Sequence, residues 1–228
     1  MESALTISAK QMANLRSWFD KPVPAKVSGL ILVCAALLLS ACGGPKLEVL
    51  PADATILAFG DSLTAGTGVS FENSYPAVLA TRLERKVINA GVPGEVTQEG
   101  KARLPRLLDE HSVQLVVICH GGNDFLRRLP EDQTEANLRE MISEVQSRGI
   151  DVALIGVPVP GIWANPPELY KRLADEFDVP LDEDILGELE TDPAMKSDPV
   201  HLNKPGYQRM AEAVLGLLVE AGAGGGAG

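Results

Sequence analysis

The sequence predicts an α/β fold with three layers, helices covering both faces of a central parallel sheet. Short apolar runs recur along the chain, and stretches with helical periodicity separate them. The apolar runs do not alternate with polar residues, which is typical of strands covered on both faces. Strands joined through helices become parallel neighbours with right-handed crossovers. Together these features indicate a flavodoxin-like α/β/α sandwich.

Each element can be assigned in chain order. The predicted strands are Thr55–Phe59, Val87–Asn89, Leu115–Cys119 and Val152–Val157, with a weaker fifth strand near Phe177–Leu181. The predicted helices are Tyr75–Arg85, Val96–Asp109, Glu135–Arg148 and Pro205–Glu220. The last helix begins with proline, which suits a first turn, and repeats apolar residues at helical spacing.

Residues 1–41 are predicted to be a targeting segment. Val27–Leu39 is an apolar run of thirteen residues. As a helix it would span about 20 Å, too short for the ~30 Å hydrocarbon core of a bilayer. Lys21 and Lys26 precede it, so the pair of features matches the charged and apolar parts of a secretory signal.

The apolar run ends in Leu39-Ser40-Ala41-Cys42, which resembles the lipobox of bacterial lipoproteins. The resemblance implies that the signal is removed and that Cys42 carries lipid. The protein would then be anchored in a membrane of the bacterial cell envelope, at the periplasmic face, and Gly43 after the cysteine favours the outer membrane. Acyl chains worth about 0.8 kcal/mol per buried methylene would give a stable anchor. A plain signal peptide cut at a nearby small residue, or a buried core helix, are the alternatives.

The remaining chain is predicted to form one domain. The full chain of 228 residues is 45% hydrophobic and 22% charged, a composition that fits a single globular core. The domain is expected over residues 54–220, after the lipidated cysteine and a tether at residues 42–53. Residues 221–228, AGAGGGAG, are interpreted as a flexible tail.

Composition also limits the partners and cofactors. With 20 Lys and Arg against 31 Asp and Glu, the net charge is −11, and the chain lacks the basic footprint of a nucleic-acid binder. Three histidines and three cysteines leave little room for a multi-histidine metal site or a disulfide scaffold. A nucleotide-binding glycine motif is also missing from the sequence. These two observations predict neither a metal nor a cofactor. Cys119, within an apolar run, is expected to be an inert buried thiol.

Polar clusters follow the predicted strands, where α/β folds bind ligands. Ser62 follows the first strand and His201 precedes the last helix, so the histidine can serve as the base that activates the serine. Asp198, three residues earlier, can fix the histidine tautomer. The backbone N–H groups of Ser62 and Gly91 and the side-chain amide of Asn123 can stabilise an oxyanion.

Four blocks carry this chemistry, and they stand in the order GDSL (residues 60–63), NAGVPG (89–94), GGND (121–124) and DxxH (198–201). Over Thr55 to Val219 the chain resembles the SGNH (GDSL) hydrolase superfamily, in particular the bacterial thioesterase I, lysophospholipase and arylesterase branch. The resemblance implies a serine esterase that acts on carboxylic esters and thioesters of small molecules or lipids through an acyl-enzyme on Ser62. A carbohydrate O-acetyl esterase of the same superfamily and a non-catalytic envelope lipoprotein are the alternatives.

Two loops are expected to shape the substrate pocket. Phe125 follows the third block, and Ile162 and Trp163 lie in the loop after the fourth strand. Their apolar side chains suit an acyl-binding wall.

Other polar residues near the motifs are given structural roles. Asp61, Asn89 and Asp124 are interpreted as hydrogen-bonding partners of the loops, and His120 as a satisfied histidine at a strand end. Residues 168–198 carry eleven acidic and three basic residues, a net charge of −8 that we expect to repel anionic substrates such as long-chain acyl-CoA.

Overall fold

The computed structural model describes residues 46–159 and 165–224. Within these residues, five parallel strands form one sheet in the order β2-β1-β3-β4-β5. The strands are β1 (Thr55–Gly60), β2 (Lys86–Gly91), β3 (Leu115–Cys119), β4 (Asp151–Ile155) and β5 (Leu181–Asp182). The parallel sheet confirms the predicted fold class.

Helices connect the strands. They are α1 (Ser62–Ala65), α2 (Tyr75–Leu83), α3 (Thr97–Glu110), α4 (Gly122–Leu126), α5 (Glu131–Ser147), α6 (Leu169–Phe177), α7 (Ile185–Thr191) and α8 (Lys204–Glu220), with 3₁₀ turns at Phe71–Asn73 and Pro193–Met195. α2 packs against α8, whereas α3 packs against α5 and α5 against α6. The chain moves from β1 to β2 and then back past β1 to β3. Right-handed crossovers in opposite directions therefore place these helices on opposite faces of the sheet.

The central strands explain the lack of alternation in the sequence. Every residue of β3 is buried, and so are all but the first residues of β1 and β4.

Two fully buried tyrosines fix the loops at the carboxyl edge of the sheet. Tyr170 donates its hydroxyl to the carbonyl of His120 at 2.8 Å, and Tyr207 donates to the carbonyl of Thr67 at 2.9 Å.

The region after β4 differs most from the prediction. Phe177, placed at the start of a fifth strand by the sequence, ends helix α6, and β5 is only Leu181–Asp182. α6 and α7 were not predicted, because charged residues dominate this region. α6 nevertheless buries Leu169, Tyr170, Leu173 and Ala174 at helical spacing, a signal present in the sequence.

The predicted tether and tail are shorter than expected. Leu47 and Leu50 are buried, and their N–H groups donate to the carbonyls of Ala221 and Ala223 at 2.8 and 3.2 Å. Residues on both sides of the predicted domain are therefore part of its packed structure. The signal segment, Cys42 and residues 225–228 lie outside the described residues. No helix in the described part of the chain is long and apolar enough to cross a membrane.

Candidate active site

The loop after β1 places Ser62 at the carboxyl edge of the sheet. Asp61 caps helix α1, its Oδ1 accepting from the N–H of Leu63 at 3.1 Å, and Ser62 is the first residue of that helix. The strand must end in glycine, because a Cβ on Gly60 would lie 2.0 Å from the carbonyl oxygen of Cys119 on β3. Close strand packing therefore fixes the starting point of the serine loop.

The three residues predicted as nucleophile, base and orienting acid form one chain of hydrogen bonds. Ser62 Oγ lies 3.0 Å from His201 Nε2, and His201 Nδ1 lies 2.7 Å from Asp198 Oδ2. An ionised Asp198 accepts from the Nδ1–H tautomer, which leaves Nε2 free to accept the proton of Ser62. The structure therefore brings the three predicted residues together in one hydrogen-bonded chain.

The environment of Asp198 keeps it ionised. Its Oδ1 accepts from the N–H groups of Val200 and His201, both at 2.9 Å. The hydrogen bond from Val200, followed by that from the His201 side chain, lowers the pKa of Asp198 to about 2. At neutral pH the carboxylate is therefore available to stabilise a protonated His201.

Ser62 and His201 open onto a cavity of about 230 Å³. Apolar side chains form much of its wall, namely Leu63, Pro93, Leu126, Val157 and Val200. Its polar lining includes Gly94, Asn123 and Glu190. An apolar pocket with a few converging polar groups is typical of a small-molecule site.

Gly91 does not lie where the sequence analysis placed it. Its N–H donates to Asn89 Oδ1 at 3.0 Å, and it is absent from the cavity wall. A Cβ on Gly91 would lie 2.0 Å from the backbone nitrogen of Ala65. The prediction that Gly91 is an oxyanion donor is therefore wrong: this glycine permits close packing of β2 against α1.

The second glycine of the NAGVPG block, to which no role was assigned from the sequence, lies at the cavity instead. Gly94 lines the cavity, and its φ of 80° lies in the left-handed region that favours glycine. Its N–H has no acceptor among the described residues, while its carbonyl accepts from Arg127 Nη2 at 2.6 Å. The Pro93-Gly94 pair is a turn signal, which could have identified this residue from the sequence.

Asn123 lies in the cavity wall, as predicted, and two oxygens hold its amide. Its Nδ2 donates to Asp61 Oδ2 at 3.2 Å and to the carbonyl of Glu95 at 3.0 Å. Asp61 is buried, and burial raises its pKa above the ordinary range. Asp61 thus connects the serine loop to Asn123, consistent with the structural role predicted for it.

An ion-pair network around the buried Glu95 side chain holds the loop at residues 94–95 in place. Arg103 binds Glu95 through Nε at 2.6 Å and Nη2 at 2.7 Å, and its Nη2 also donates to the carbonyl of Ala90 at 2.8 Å. His120 Nε2 lies 3.1 Å from Glu95 Oε2, and His120 Nδ1 accepts from the N–H of Gly121 at 3.0 Å. His120 is fully buried and satisfied, as predicted.

The network keeps Glu95 ionised. Burial alone opposes the charge, but hydrogen bonds from His120 and Arg103 outweigh it and lower the pKa of Glu95. No role was predicted for Glu95 or Arg103, because their contacts with His120 and with the Ala90 carbonyl join separate elements of the fold.

Structural roles were also predicted for Asp124 and Cys119. Asp124 accepts from the N–H of Thr97 at 2.9 Å and from its hydroxyl at 2.5 Å, so it holds α3 against α4. Cys119 is a buried free thiol, and burial raises its pKa. Both residues therefore have the structural environment that was predicted for them.

The structure describes one of the three predicted acyl-binding residues, Phe125, and does not place it in the cavity wall. Phe125 packs edge-on against Tyr170, with ring centroids 6.5 Å apart, and rests on the core instead of lining the cavity. Its neighbour Leu126 lines the cavity, because one step along α4 turns the side chain toward it. Ile162 and Trp163 lie outside the described residues.

Comparison with known proteins places this site in a family. Residues 58–209 match the model of the GDSL-like lipase/acylhydrolase family. The chain is 34% identical over 166 residues to thioesterase 1/protease 1/lysophospholipase L1 of Escherichia coli (strain K12), covering 69% of this chain and 80% of that protein. It is 34% identical over 176 residues to an arylesterase of Vibrio mimicus, covering 72% and 88%.

Solved structures agree with the family match. The crystal structure of a protein named TesA matches with a TM-score of 0.67 and 30% identity, covering 73% of this chain and 99% of that chain. The SGNH-hydrolase family esterase AlinE4 matches with a TM-score of 0.58 and 31% identity, covering 74% and 96%. The chain therefore belongs to the GDSL-like lipase/acylhydrolase family, and it is an ester-cleaving hydrolase.

Proposed function

We propose that this hydrolase cleaves carboxylic esters and thioesters through an acyl-enzyme on Ser62. In this proposal His201 is the general acid–base and Asp198 orients it. The observation that carries the proposal is the continuous set of hydrogen bonds from Asp198 through His201 to Ser62, which opens onto the cavity. A serine becomes an effective nucleophile only when such a base takes its proton.

The first step forms the acyl-enzyme. Ser62 Oγ attacks the carbonyl carbon while its proton passes to His201 Nε2, and the carbonyl oxygen becomes an oxyanion. The bond to the leaving alcohol or thiol then breaks, and the leaving group takes the proton from His201. Asp198 stabilises the protonated imidazole between these events.

The second step releases the acid. A water molecule gives its proton to His201 Nε2 and attacks the acyl carbon. The bond to Ser62 Oγ then breaks, and Ser62 recovers the proton from His201. The free enzyme is restored, and the products are the carboxylic acid and the alcohol or thiol of the first step.

The oxyanion donors in this proposal are the N–H groups of Ser62 and Gly94 and the amide of Asn123. Asp61 and the Glu95 carbonyl fix the plane of that amide before substrate arrives, which lowers the reorganisation needed in the transition state. The contact to Asp61 is the longer of the two, and we expect the oxyanion to share this hydrogen.

The proposed substrates carry an acyl chain that fits an apolar wall. The names of the relatives include thioesterase, lysophospholipase and arylesterase, and the wall of the cavity is mainly aliphatic. Hydrolysis of p-nitrophenyl esters from acetate to palmitate, compared between the wild-type chain and Ser62→Ala, tests this proposal. Activity on medium or long chains that is lost in the variant supports it, whereas activity confined to acetate favours the carbohydrate O-acetyl esterase.

We also propose that the enzyme is anchored in the bacterial cell envelope through lipid on Cys42. The support is the sequence alone: an apolar run, two preceding lysines and the Leu39–Cys42 motif. Metabolic labelling with a palmitate analogue should label the wild-type chain and not Cys42→Ser, and the label should sediment with membranes. Equal labelling of both chains would contradict the anchor.

A further inference from the structure

One acidic side chain in the cavity wall has no part in the proposed mechanism. Glu190 lies in the last turn of α7 and lines the same cavity as Ser62 and His201. It is half-buried, and apolar residues such as Val157 and Leu126 share the wall with it. Placing a carboxylate in a partly apolar wall costs free energy unless the charge is paired, so its presence calls for an ion-pair partner or a function.

Within the described residues, the Glu190 carboxylate accepts no hydrogen bond and forms no ion pair. Lys196, on the following loop, donates its Nζ to the backbone carbonyl of Glu190 at 3.0 Å instead of to the carboxylate. The neighbouring acids differ in this respect. Asp61, Glu95 and Asp198 each accept hydrogen bonds from side-chain or backbone donors.

The position of Glu190 is unfavourable for a negative charge. Burial raises its pKa to about 7; the positive charge of Lys196 opposes this shift, and the negative charge of Asp61 adds to it. The carboxylate also lies at the C-terminal end of a helix, where cations are favoured and anions are not. Fold stability alone would favour a neutral residue at this position. An ionisable side chain that lies in a cleft and has a strongly shifted pKa is a candidate functional residue.

We propose that Glu190 is a substrate-recognition residue, whose carboxylate pairs with a positively charged group of the ester. The proposal rests on the function proposed above and names the class of substrate: esters that carry a quaternary ammonium or a protonated amine near the scissile bond. The positively charged group of the substrate is then the ion-pair partner that the Glu190 carboxylate lacks among the described residues. The acidic residues of the 168–198 segment strengthen the same preference over a longer range.

Matched pairs of substrates test this proposal with the full chain. Butyrylcholine and 3,3-dimethylbutyl butyrate have the same shape, but only the first has a charge, on its alcohol part. The p-nitrophenyl esters of 4-(trimethylammonio)butanoate and 5,5-dimethylhexanoate place the same difference on the acyl part. The ratio of kcat/KM for the charged and neutral member of each pair is measured for wild type, Glu190→Gln and Glu188→Gln.

We expect the ratio to fall about fivefold in Glu190→Gln for at least one pair, the upper range for one partly exposed ion pair. Glu188 is an exposed acid of the same helix outside this cavity wall, and its variant should keep the wild-type ratio. Equal ratios in wild type and Glu190→Gln for both pairs would overturn the proposal, and so would an equal loss in Glu188→Gln. Failure of the wild-type enzyme to hydrolyse the neutral esters would instead overturn the function proposed for Ser62.

Discussion

Within the described residues, two histidine–carboxylate pairs lie at the same edge of the sheet, and they differ in burial and in the partner of the second ring nitrogen. His201 and Asp198 are 2.7 Å apart and partly exposed, with side chains 21% and 43% accessible. His120 and Glu95 are 3.1 Å apart and buried, at 0% and 5%. The second ring nitrogen of His201 faces Ser62, whereas that of His120 accepts from the backbone of Gly121.

From this difference we infer that the partner of the second ring nitrogen and its access to solvent decide the role of such a pair. His201 can gain and lose a proton beside the cavity, because its Nε2 meets a hydroxyl that can give one up. His120 has both nitrogens occupied, and its Glu95 partner is further held by Arg103. The first pair is therefore suited to chemistry, and the second pair to holding the Gly94–Glu95 loop.

Removing the nucleophile should produce the largest effect on activity. We expect Ser62→Ala to lower kcat by about 10⁴-fold or more, because no alkoxide can form. The free energy of unfolding should change little, since the hydroxyl contacts only His201 among the hydrogen bonds of the described chain. Ester hydrolysis and urea unfolding measured on the same preparation check both parts, and wild-type activity in the variant would contradict the mechanism.

The second largest effect on activity is expected from neutralising the carboxylate of Asp198. Asp198→Asn is expected to lower kcat by about 10³–10⁴-fold, because an amide no longer selects the Nδ1–H tautomer or stabilises the charged ring. The rate is measured with a p-nitrophenyl ester at pH 8. A loss of less than tenfold would show that Asp198 does not orient His201.

Removing the amide donor should have a smaller effect. Asn123→Ala should lower kcat by about 10²–10³-fold with little change in KM, the usual cost of one oxyanion donor. Steady-state kinetics on the same ester separates the two constants. An unchanged kcat would remove Asn123 from the oxyanion site.

The buried pair should respond in stability more than in activity. Glu95→Gln leaves Arg103 without its carboxylate, and we expect the free energy of unfolding to fall by about 2–3 kcal/mol, below the cost for fully buried pairs because Arg103 keeps some solvent contact. Urea denaturation measures this change. If kcat per folded molecule also fell as far as in Asp198→Asn, the division of roles between the two pairs would be wrong.

The smallest expected effect is the pH dependence of stability. The folded pKa of Asp198, about 2, lies below its ordinary value of 3.8. Its ionised form therefore stabilises the fold above about pH 4, and this contribution is lost as the pH falls toward 2. The difference in unfolding free energy between wild type and Asp198→Asn should shrink over that range. A difference that stays constant would mean that the pKa of Asp198 is not lowered by folding.

The sequence predicted the sheet, and it predicted that Ser62, His201 and Asp198 lie close together, because Ser62 follows a strand and His201 precedes the last helix, at the edge of the sheet where α/β folds bind ligands. Buried strands appear as continuous apolar runs, and Asp198 reaches His201 within one loop. The oxyanion donor predicted in the NAGVPG block, Gly91, differs from the glycine at the cavity, Gly94, because a glycine motif alone does not show which glycine permits close packing and which faces a cavity. Glu95 and Arg103 belong to a network that also includes His120 and Ala90, and Glu190 lies in a cavity wall with Ser62 and His201. These neighbours come from several separate parts of the chain, so no local pattern identifies the three residues.

The most direct test of the account is to label the enzyme with a fluorophosphonate, which reacts with an activated serine and mimics the tetrahedral intermediate. Intact-mass and peptide mass spectrometry should show one adduct per chain, on Ser62, formed slowly in Asp198→Asn and absent in Ser62→Ala. An adduct on a different residue, or equal labelling of Ser62→Ala, would contradict the assignment of Ser62 as the nucleophile.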